Sequence, residues 1–258
     1  MDKLTNVKGI ILDYGATIDS NGKHWSEVIW EGYCQMSLPV TKEQFREAYI
    51  FAERYIQITP TCVNPDDNFY QLMQTRVGIQ LDLMISQGWL SEENFRTALR
   101  MASEGEMPIL DNISELSEHF SNVIAGYCYD FARRCTLDAI PIIEHLSCTY
   151  PLALVSNFYG NLRSVLQDFG LLRCFEVVVD SAEAGVRKPS TDIYQLAISQ
   201  LGCAAEEVLV IGDSYSKDIE PALRLGCQAV QVKGQGWESD TAGYEPSITS
   251  LIQLYDIL

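Results

Sequence analysis

The chain has 258 residues, of which 47% are hydrophobic and 21% are charged. This length and composition are ordinary for a globular protein with a sizeable core. Its 35 acidic residues outnumber the 18 basic ones, which gives a formal net charge of −17. A field of this sign repels nucleic acids and anionic membranes, so we expect neither as a partner.

The cysteines and the N-terminal segment both bear on the cellular compartment. The eight cysteines are scattered and form no Cys-x-x-Cys pair, which is typical of reduced thiols. The N-terminal residues lack the basic and apolar stretches of a signal peptide. No apolar run has the length that a membrane span needs. We therefore expect a cytoplasmic protein.

The first predicted element is a buried strand over residues 7–12, which are largely apolar. It ends at Asp13, and Gly15 and Ala16 then allow a sharp turn. From about residue 19 to about residue 135 the pattern is helical, and we find no convincing strand there.

Helix signals recur through this middle segment. Thr41 and Gln44 form a capping box ahead of an apolar helical face. Asp66 or Asp67 can cap the next helix, which Gly88 ends. A further helix starts after Ser91, and a long helical pattern covers residues 111–134.

Helices and strands alternate in the last part of the chain. We predict helices over residues 138–147, 161–169, 189–201 and 216–225, and strands over residues 152–155, 175–179, 208–211 and 228–232. This order favours right-handed crossovers and a parallel sheet with helices on both faces. The predicted fold is α/β, with a Rossmann-like parallel sheet core and an inserted all-helical cap domain. The core comprises residues 1–18 and 136–258, and the cap comprises residues 19–135.

Polar residues follow the predicted strands. Asp13, Ser156 and Asp213 each stand where a strand ends, Lys188 lies in a loop, and Asp218 comes one helical turn after Asp213. Taken singly, such residues are more often helix caps, turns or solvated loops. Because ligands bind at the carboxyl ends of parallel strands, their joint placement predicts a functional site.

These segments resemble the four motifs of the haloacid dehalogenase-like hydrolase superfamily. Asp13-Tyr14-Gly15-Ala16-Thr17 corresponds to D-x-D-x-T, and Leu154-Val155-Ser156-Asn157 to a strand that ends in Ser or Thr. Arg187-Lys188-Pro189 corresponds to the lysine motif, and Gly212-Asp213-Ser214-Tyr215-Ser216-Lys217-Asp218 to G-D-S-x-x-x-D. The helical insert resembles the cap of the subgroup that contains phosphoglycolate phosphatase, β-phosphoglucomutase, phosphonatase and the dehalogenases.

The resemblance implies a Mg²⁺-dependent hydrolase, most simply a phosphatase of a small phosphorylated metabolite. Asp13 would attack phosphorus and form an aspartyl phosphate. Ser156, Asn157 and Lys188 would bind the phosphoryl group and stabilise its charge. Mg²⁺ prefers hard oxygen ligands, and Asp13, the Gly15 carbonyl and Asp213 would supply them. Asp218 would be a further ligand or an orienting group.

Gly15 departs from the family pattern. Phosphatases of the family have a second aspartate there, which protonates the leaving group, and such help is worth about 10²–10⁴-fold in rate. His24 is a candidate replacement because imidazole exchanges protons near neutral pH, although it can equally be part of a hinge. Two alternatives remain: phosphonatase-like C–P cleavage, with Lys23 or Lys42 as the cap lysine, and a non-catalytic metal- or ligand-binding protein.

Overall fold

The computed structural model describes residues 4–102, 108–234 and 244–258. The chain forms two compact units. We call Met1–Trp25 with Ala132–Leu258 the α/β unit, and Ser26–Phe131 the helical unit. The predicted boundaries were residues 18 and 135. The difference at the first boundary arises because Trp25 Nε1 donates to Asp19 Oδ2 (2.8 Å), which ties the connecting loop to the α/β unit.

The α/β unit is built on a six-stranded sheet with the order β3-β2-β1-β4-β5-β6, in which every pairing is parallel. The strands are β1 (Gly9–Leu12), β2 (Leu152–Ser156), β3 (Val177–Asp180), β4 (Val208–Gly212), β5 (Gln228–Val232) and β6 (Ser247–Ile248). Nearly all strand residues are buried, as expected for a parallel sheet covered on both faces. The predicted α/β fold class is thus confirmed. The two-residue β6 was not predicted, because it is too short to carry a pattern.

Ten α-helices lie in the described ranges: α1 (Trp25–Gln35), α2 (Lys42–Ile58), α3 (Phe69–Ser86), α4 (Glu92–Ala102), α5 (Ile113–Ser147), α6 (Leu162–Asp168), α7 (Ser181–Ala184), α8 (Thr191–Leu201), α9 (Glu220–Arg224) and α10 (Leu254–Ile257). Between residues 26 and 131, the described part of the chain contains no strand. None of the helices described is long and apolar enough to cross a membrane.

The helix caps show where local sequence was sufficient. The capping box of Thr41 and Gln44 is present at the start of α2. The expected cap of α3 at Asp66 or Asp67 is wrong. Asn68 caps α3 instead, with Gln71 N donating to Asn68 Oδ1 (3.0 Å). Asp67 Oδ2 accepts from Asn64 N (2.8 Å), so this carboxylate closes the preceding turn.

The helix α5 is continuous, although we predicted separate helices over residues 111–134 and 138–147. Pro141 lies inside it and cannot donate a backbone hydrogen bond to the fourth residue before it, Leu137. Leu137 is 53% exposed and Pro141 is exposed too, so water can hydrate the carbonyl group left without this bond. The helix therefore passes through a position where the sequence suggested a boundary.

Candidate active site

The sheet order brings the predicted site residues together at one edge. Asp13 follows β1, Ser156 ends β2 and Asp213 follows β4, and β1 lies between β2 and β4. Asp13 N donates to Ile211 O (2.9 Å), which extends the β1–β4 ladder by one residue and fixes the backbone of Asp13. Ser156 Oγ donates to Asp13 Oδ1 at 3.4 Å, and Thr17 Oγ1 donates to Asp13 Oδ2 at 3.0 Å.

Lys188 links two of the acidic residues. Its Nζ lies 2.5 Å from Asp13 Oδ1 and 2.6 Å from Asp218 Oδ1. All three side chains are buried, with exposed fractions of 3% for Lys188, 7% for Asp13 and 1% for Asp218. Screening by water is weak in such a place, so the ammonium group and the two carboxylates hold one another in a fixed geometry.

Asn157 positions Lys188 through the backbone. Asn157 Nδ2 donates to Lys188 O (3.1 Å), and Lys188 N donates to Asn157 Oδ1 (2.9 Å). The amide therefore uses both of its ends to hold the loop that carries the lysine. We predicted a substrate contact for Asn157, and this positioning contact was missed because its partner is 31 residues away in the sequence.

A π-helical turn places Asp218. The segment Tyr215–Ile219 forms this turn, and Ser214 caps it. Ser214 N donates to Asp218 Oδ2 (3.1 Å), while Asp218 Oδ1 accepts from Tyr194 Oη (2.8 Å). Irregular turns of this kind are frequent at functional sites. We predicted an ordinary helix from residue 216, because the π turn has no simple sequence signature.

The three aspartates form a compact acidic cluster. One carboxylate oxygen from each of Asp13, Asp213 and Asp218 lies within 4.8 Å of the others. Burial raises the pKa of the Asp13 carboxyl, and Asp218 adds to this, although Lys188 and the Thr17 hydroxyl act in the opposite direction. Burial also raises the pKa of Asp213 well above its usual range, with further contributions from Asp13 and Asp218.

Lys188 remains protonated in this cluster. Burial by itself lowers the pKa of the ammonium group, but the Asp13 and Asp218 carboxylates outweigh burial and the net shift is upward. One lysine faces three carboxylates, so the cluster carries an excess of negative charge. A divalent cation would compensate this charge, and hard carboxylate oxygens are the donors that Mg²⁺ prefers. The residues present thus fit a Mg²⁺ site.

The loop after Asp13 is held by Asp19. Ala16 N donates to Asp19 Oδ1 (2.8 Å), and Ala16 has a left-handed backbone with φ of 64°. Apart from Gly15 itself and its two chain neighbours, no heavy atom of the described chain lies within 4 Å of a Cβ atom added at Gly15. The loop therefore has room for a side chain at Gly15.

The histidines differ in their surroundings. His24 is half-buried and directly precedes α1, within the α/β unit. Its suggested proton-transfer role stays a prediction. His119 lies beside Phe120 in the helical unit, and the exposed His145 lies beside Tyr255, so both make aromatic contacts.

Comparison with known proteins identifies the family. A sequence model of the haloacid dehalogenase-like hydrolases matches residues 27–226, so the chain belongs to this family of hydrolases. The matched range contains Ser156, Lys188, Asp213 and Asp218 but begins after Asp13.

Several relatives are phosphatases. The glyceraldehyde 3-phosphate phosphatase of Methanocaldococcus jannaschii is 34% identical over 91 residues, 34% of this chain and 40% of that protein. The phosphoserine phosphatase of Thermus thermophilus is 37% identical over 82 residues, 31% of this chain and 33% of that protein. Both matches span well under two thirds of these relatives. The phosphoglycolate phosphatase of Salmonella typhimurium is 23% identical over 258 residues, 96% of this chain and 90% of that protein.

Solved structures share the fold over the whole chain. A dehalogenase has a TM-score of 0.59 at 16% identity, and the match covers 99% of this chain and 98% of that one. A predicted phosphoglycolate phosphatase from Haemophilus somnus has a TM-score of 0.52 at 18% identity, with 98% and 99% covered.

Proposed function

We propose that the protein is a Mg²⁺-dependent phosphatase of a small phosphorylated metabolite that works through an aspartyl-phosphate intermediate. The observation that carries this proposal is the buried contact of Lys188 Nζ with Asp13 Oδ1 and Asp218 Oδ1, beside Asp213. In such a cluster the carboxylate oxygens can bind a metal cation, and the ammonium group of Lys188 can bind the phosphate dianion beside it.

Asp13 is the proposed nucleophile. One of its carboxylate oxygens forms a bond to phosphorus while the bond from phosphorus to the leaving oxygen breaks. Water then attacks phosphorus, which releases inorganic phosphate and restores the carboxylate. Lys188 stabilises the phosphoryl oxygens, and Ser156 Oγ, which lies 3.4 Å from Asp13 Oδ1, can donate to one of them.

The proposed metal ligands are the Asp13 and Asp213 carboxylates and the Gly15 carbonyl. When bound, Mg²⁺ supplies positive charge that polarises the phosphoryl oxygens and orients the substrate. Both oxygens of Asp218 already accept hydrogen bonds, from Lys188, Tyr194 and Ser214 N. These bonds favour an orienting role for Asp218 over a ligand role.

The leaving oxygen needs a proton that Gly15 cannot provide. We assign this proton to His24 or to solvent, because imidazole is the side chain that titrates nearest neutral pH. Asp19 is another acidic residue close to Gly15 in the sequence, but both of its carboxylate oxygens hold the loop by accepting from Ala16 N and Trp25 Nε1. We therefore assign Asp19 a structural role and not that of proton donor.

The relatives support this substrate class, because their names specify phosphate esters of small metabolites. Lys188 and the metal would offset locally the net charge of −17, which otherwise repels anions. We further propose that the helical unit acts as the cap of this site and that the enzyme is cytoplasmic.

The test is a panel of phosphomonoesters and phosphonates, assayed with and without Mg²⁺ for the wild type, Asp13→Asn and the surface control Asp168→Asn. We expect Mg²⁺-dependent phosphate release by the wild type and Asp168→Asn, and background rates for a folded Asp13→Asn variant. Asp168 is exposed on α6, so its change controls for loss of one charge.

Hydrolysis of phosphonates alone would replace this proposal by C–P cleavage. For that C–P cleavage, Lys42 is a poor candidate for the reactive lysine, because its Nζ forms an ion pair with Glu27 at 2.7 Å. Substantial turnover by Asp13→Asn would contradict the nucleophile assignment, and inactivity on both classes would favour a binding protein.

A further inference from the structure

Tyr194 connects the core of the α/β unit to the acidic cluster. It lies on α8, is 1% exposed, and its ring packs in a cluster with Ile193, Ala197 and Ile219. Its hydroxyl lies 2.8 Å from Asp218 Oδ1 and 3.0 Å from Lys217 O. The ring is thus fixed by packing, and the polar end points at the residue that shares Lys188 with Asp13.

The hydroxyl has one proton and two acceptors in reach. A carboxylate is the stronger acceptor, so the proton goes to Asp218 Oδ1. Burial, with a further contribution from Asp218, raises the pKa of Tyr194 well above its usual range, which keeps the phenol neutral and able to donate. Asp218 Oδ1 therefore accepts from both Tyr194 Oη and Lys188 Nζ.

We propose that Tyr194 is a positioning residue, whose hydroxyl holds Asp218 Oδ1 in the orientation that lets Lys188 bridge Asp218 and Asp13. This inference rests on the proposed phosphatase function.

The hydroxyl also limits how strongly Asp218 attracts Lys188. Without this donor, Lys188 Nζ is the one remaining donor to Asp218 Oδ1. The ammonium group then compensates more of the negative charge of Asp218 and less of that of Asp13. The cluster of Asp13, Asp213 and Asp218 becomes more negative, and Asp218 is held by Lys188 and Ser214 N without the third donor. Removal of the hydroxyl should therefore slow the reaction of Asp13 while strengthening the attraction of a cation.

The test compares Tyr194→Phe with Tyr33→Phe. Tyr33 is a matched control, because it is fully buried and its hydroxyl lies 3.1 Å from Gln80 Oε1 within the helical unit. Each variant loses one buried hydrogen bond and keeps its ring. We expect similar decreases in melting temperature for the two variants.

The two variants should differ in kinetics and in metal binding. For Tyr194→Phe we expect kcat to fall about tenfold with KM changed less than about twofold, as for loss of a hydrogen bond to a charged group. Isothermal titration with MgCl₂ should show Mg²⁺ binding about threefold tighter than in the wild type, because the cluster has lost a compensating dipole. Tyr33→Phe should leave both quantities unchanged.

A kcat of Tyr194→Phe within twofold of the wild type would overturn the proposal. So would a lower kcat accompanied by weaker Mg²⁺ binding, which is the result expected if the change merely distorts the site. If the wild type hydrolyses no phosphate ester, the proposed function fails. The Mg²⁺ titration would still show whether the Tyr194 hydroxyl acts on the cluster, because it does not depend on turnover.

Discussion

Gly212 offers a sharp test of the site geometry, because the Asp218 side chain occupies the space next to it. A Cβ atom built on Gly212 would lie 2.4 Å from Asp218 Cγ and 2.6 Å from Asp218 Oδ2, whereas ordinary contacts begin at 3.4 Å. Gly15 lies in the turn after the neighbouring strand β1, and beyond its two chain neighbours no described heavy atom lies within 4 Å of a Cβ atom built on it. Gly212→Ala and Gly15→Ala therefore make the same chemical change in opposite surroundings.

The magnitude follows from these distances. To accept Gly212→Ala, Asp218 must withdraw by about 1 Å, and a shift of this size disturbs the length and angle of its 2.6 Å contact with Lys188 Nζ. Loss of a hydrogen bond between charged groups costs about 1.5–3 kcal/mol, a factor of about 10–150 in rate if the loss is felt in the transition state. Overpacking adds a stability cost of about 1–3 kcal/mol.

The assay combines urea unfolding with initial rates on the best substrate of the panel. We expect Gly212→Ala to lower both the free energy of unfolding and kcat by these amounts, and Gly15→Ala to change the free energy of unfolding by less than about 0.5 kcal/mol. The contradicting result is a Gly212→Ala variant with the unfolding midpoint of Gly15→Ala and the reaction rate of the wild type. Asp218 would then not be fixed against Gly212. The positioning argument would then fail.

Three further predictions concern proton transfer and the pH dependence of stability. Because Gly15 has room for a side chain, Gly15→Asp should raise kcat for alkyl phosphates by about 10²-fold and for activated aryl phosphates by less, since only poor leaving groups need a proton. His24→Ala should slow the wild type on alkyl phosphates but have little further effect in Gly15→Asp, and an unchanged rate and pH profile would make His24 structural. Burial raises the pKa of the Cys128 thiol to about 12, so the folded chain binds this proton more tightly than the unfolded chain. The stability due to this difference is complete below about pH 8.5 and is lost as the pH rises towards 12. Between about pH 9 and pH 11, the free energy of unfolding measured in urea should therefore decline less for Cys128→Ala than for the wild type, by up to about 1.4 kcal/mol per pH unit. Parallel plots of unfolding free energy against pH for the two proteins would refute this prediction.

The amino-acid sequence determined the strands of the sheet, apart from β6, and the polar residues at their ends. Strands β1, β2 and β4 are continuous apolar runs that end at Asp13, Ser156 and Asp213, so both the element and its functional end are encoded locally. In a parallel sheet these strand ends lie at the same edge, so their grouping can be predicted without knowledge of any contact between side chains.

Only the tertiary structure decided how these side chains are held. Asn157 and Lys188 are 31 residues apart and Tyr194 and Asp218 are 24 residues apart, and no periodic pattern links either pair. The π-helical turn that carries Asp218 and the unbroken helix α5 through Pro141 also depended on their surroundings. The physical reason is that periodicity reports which face of an element is buried, whereas the partner of each polar group is set by the packing of elements distant in the chain.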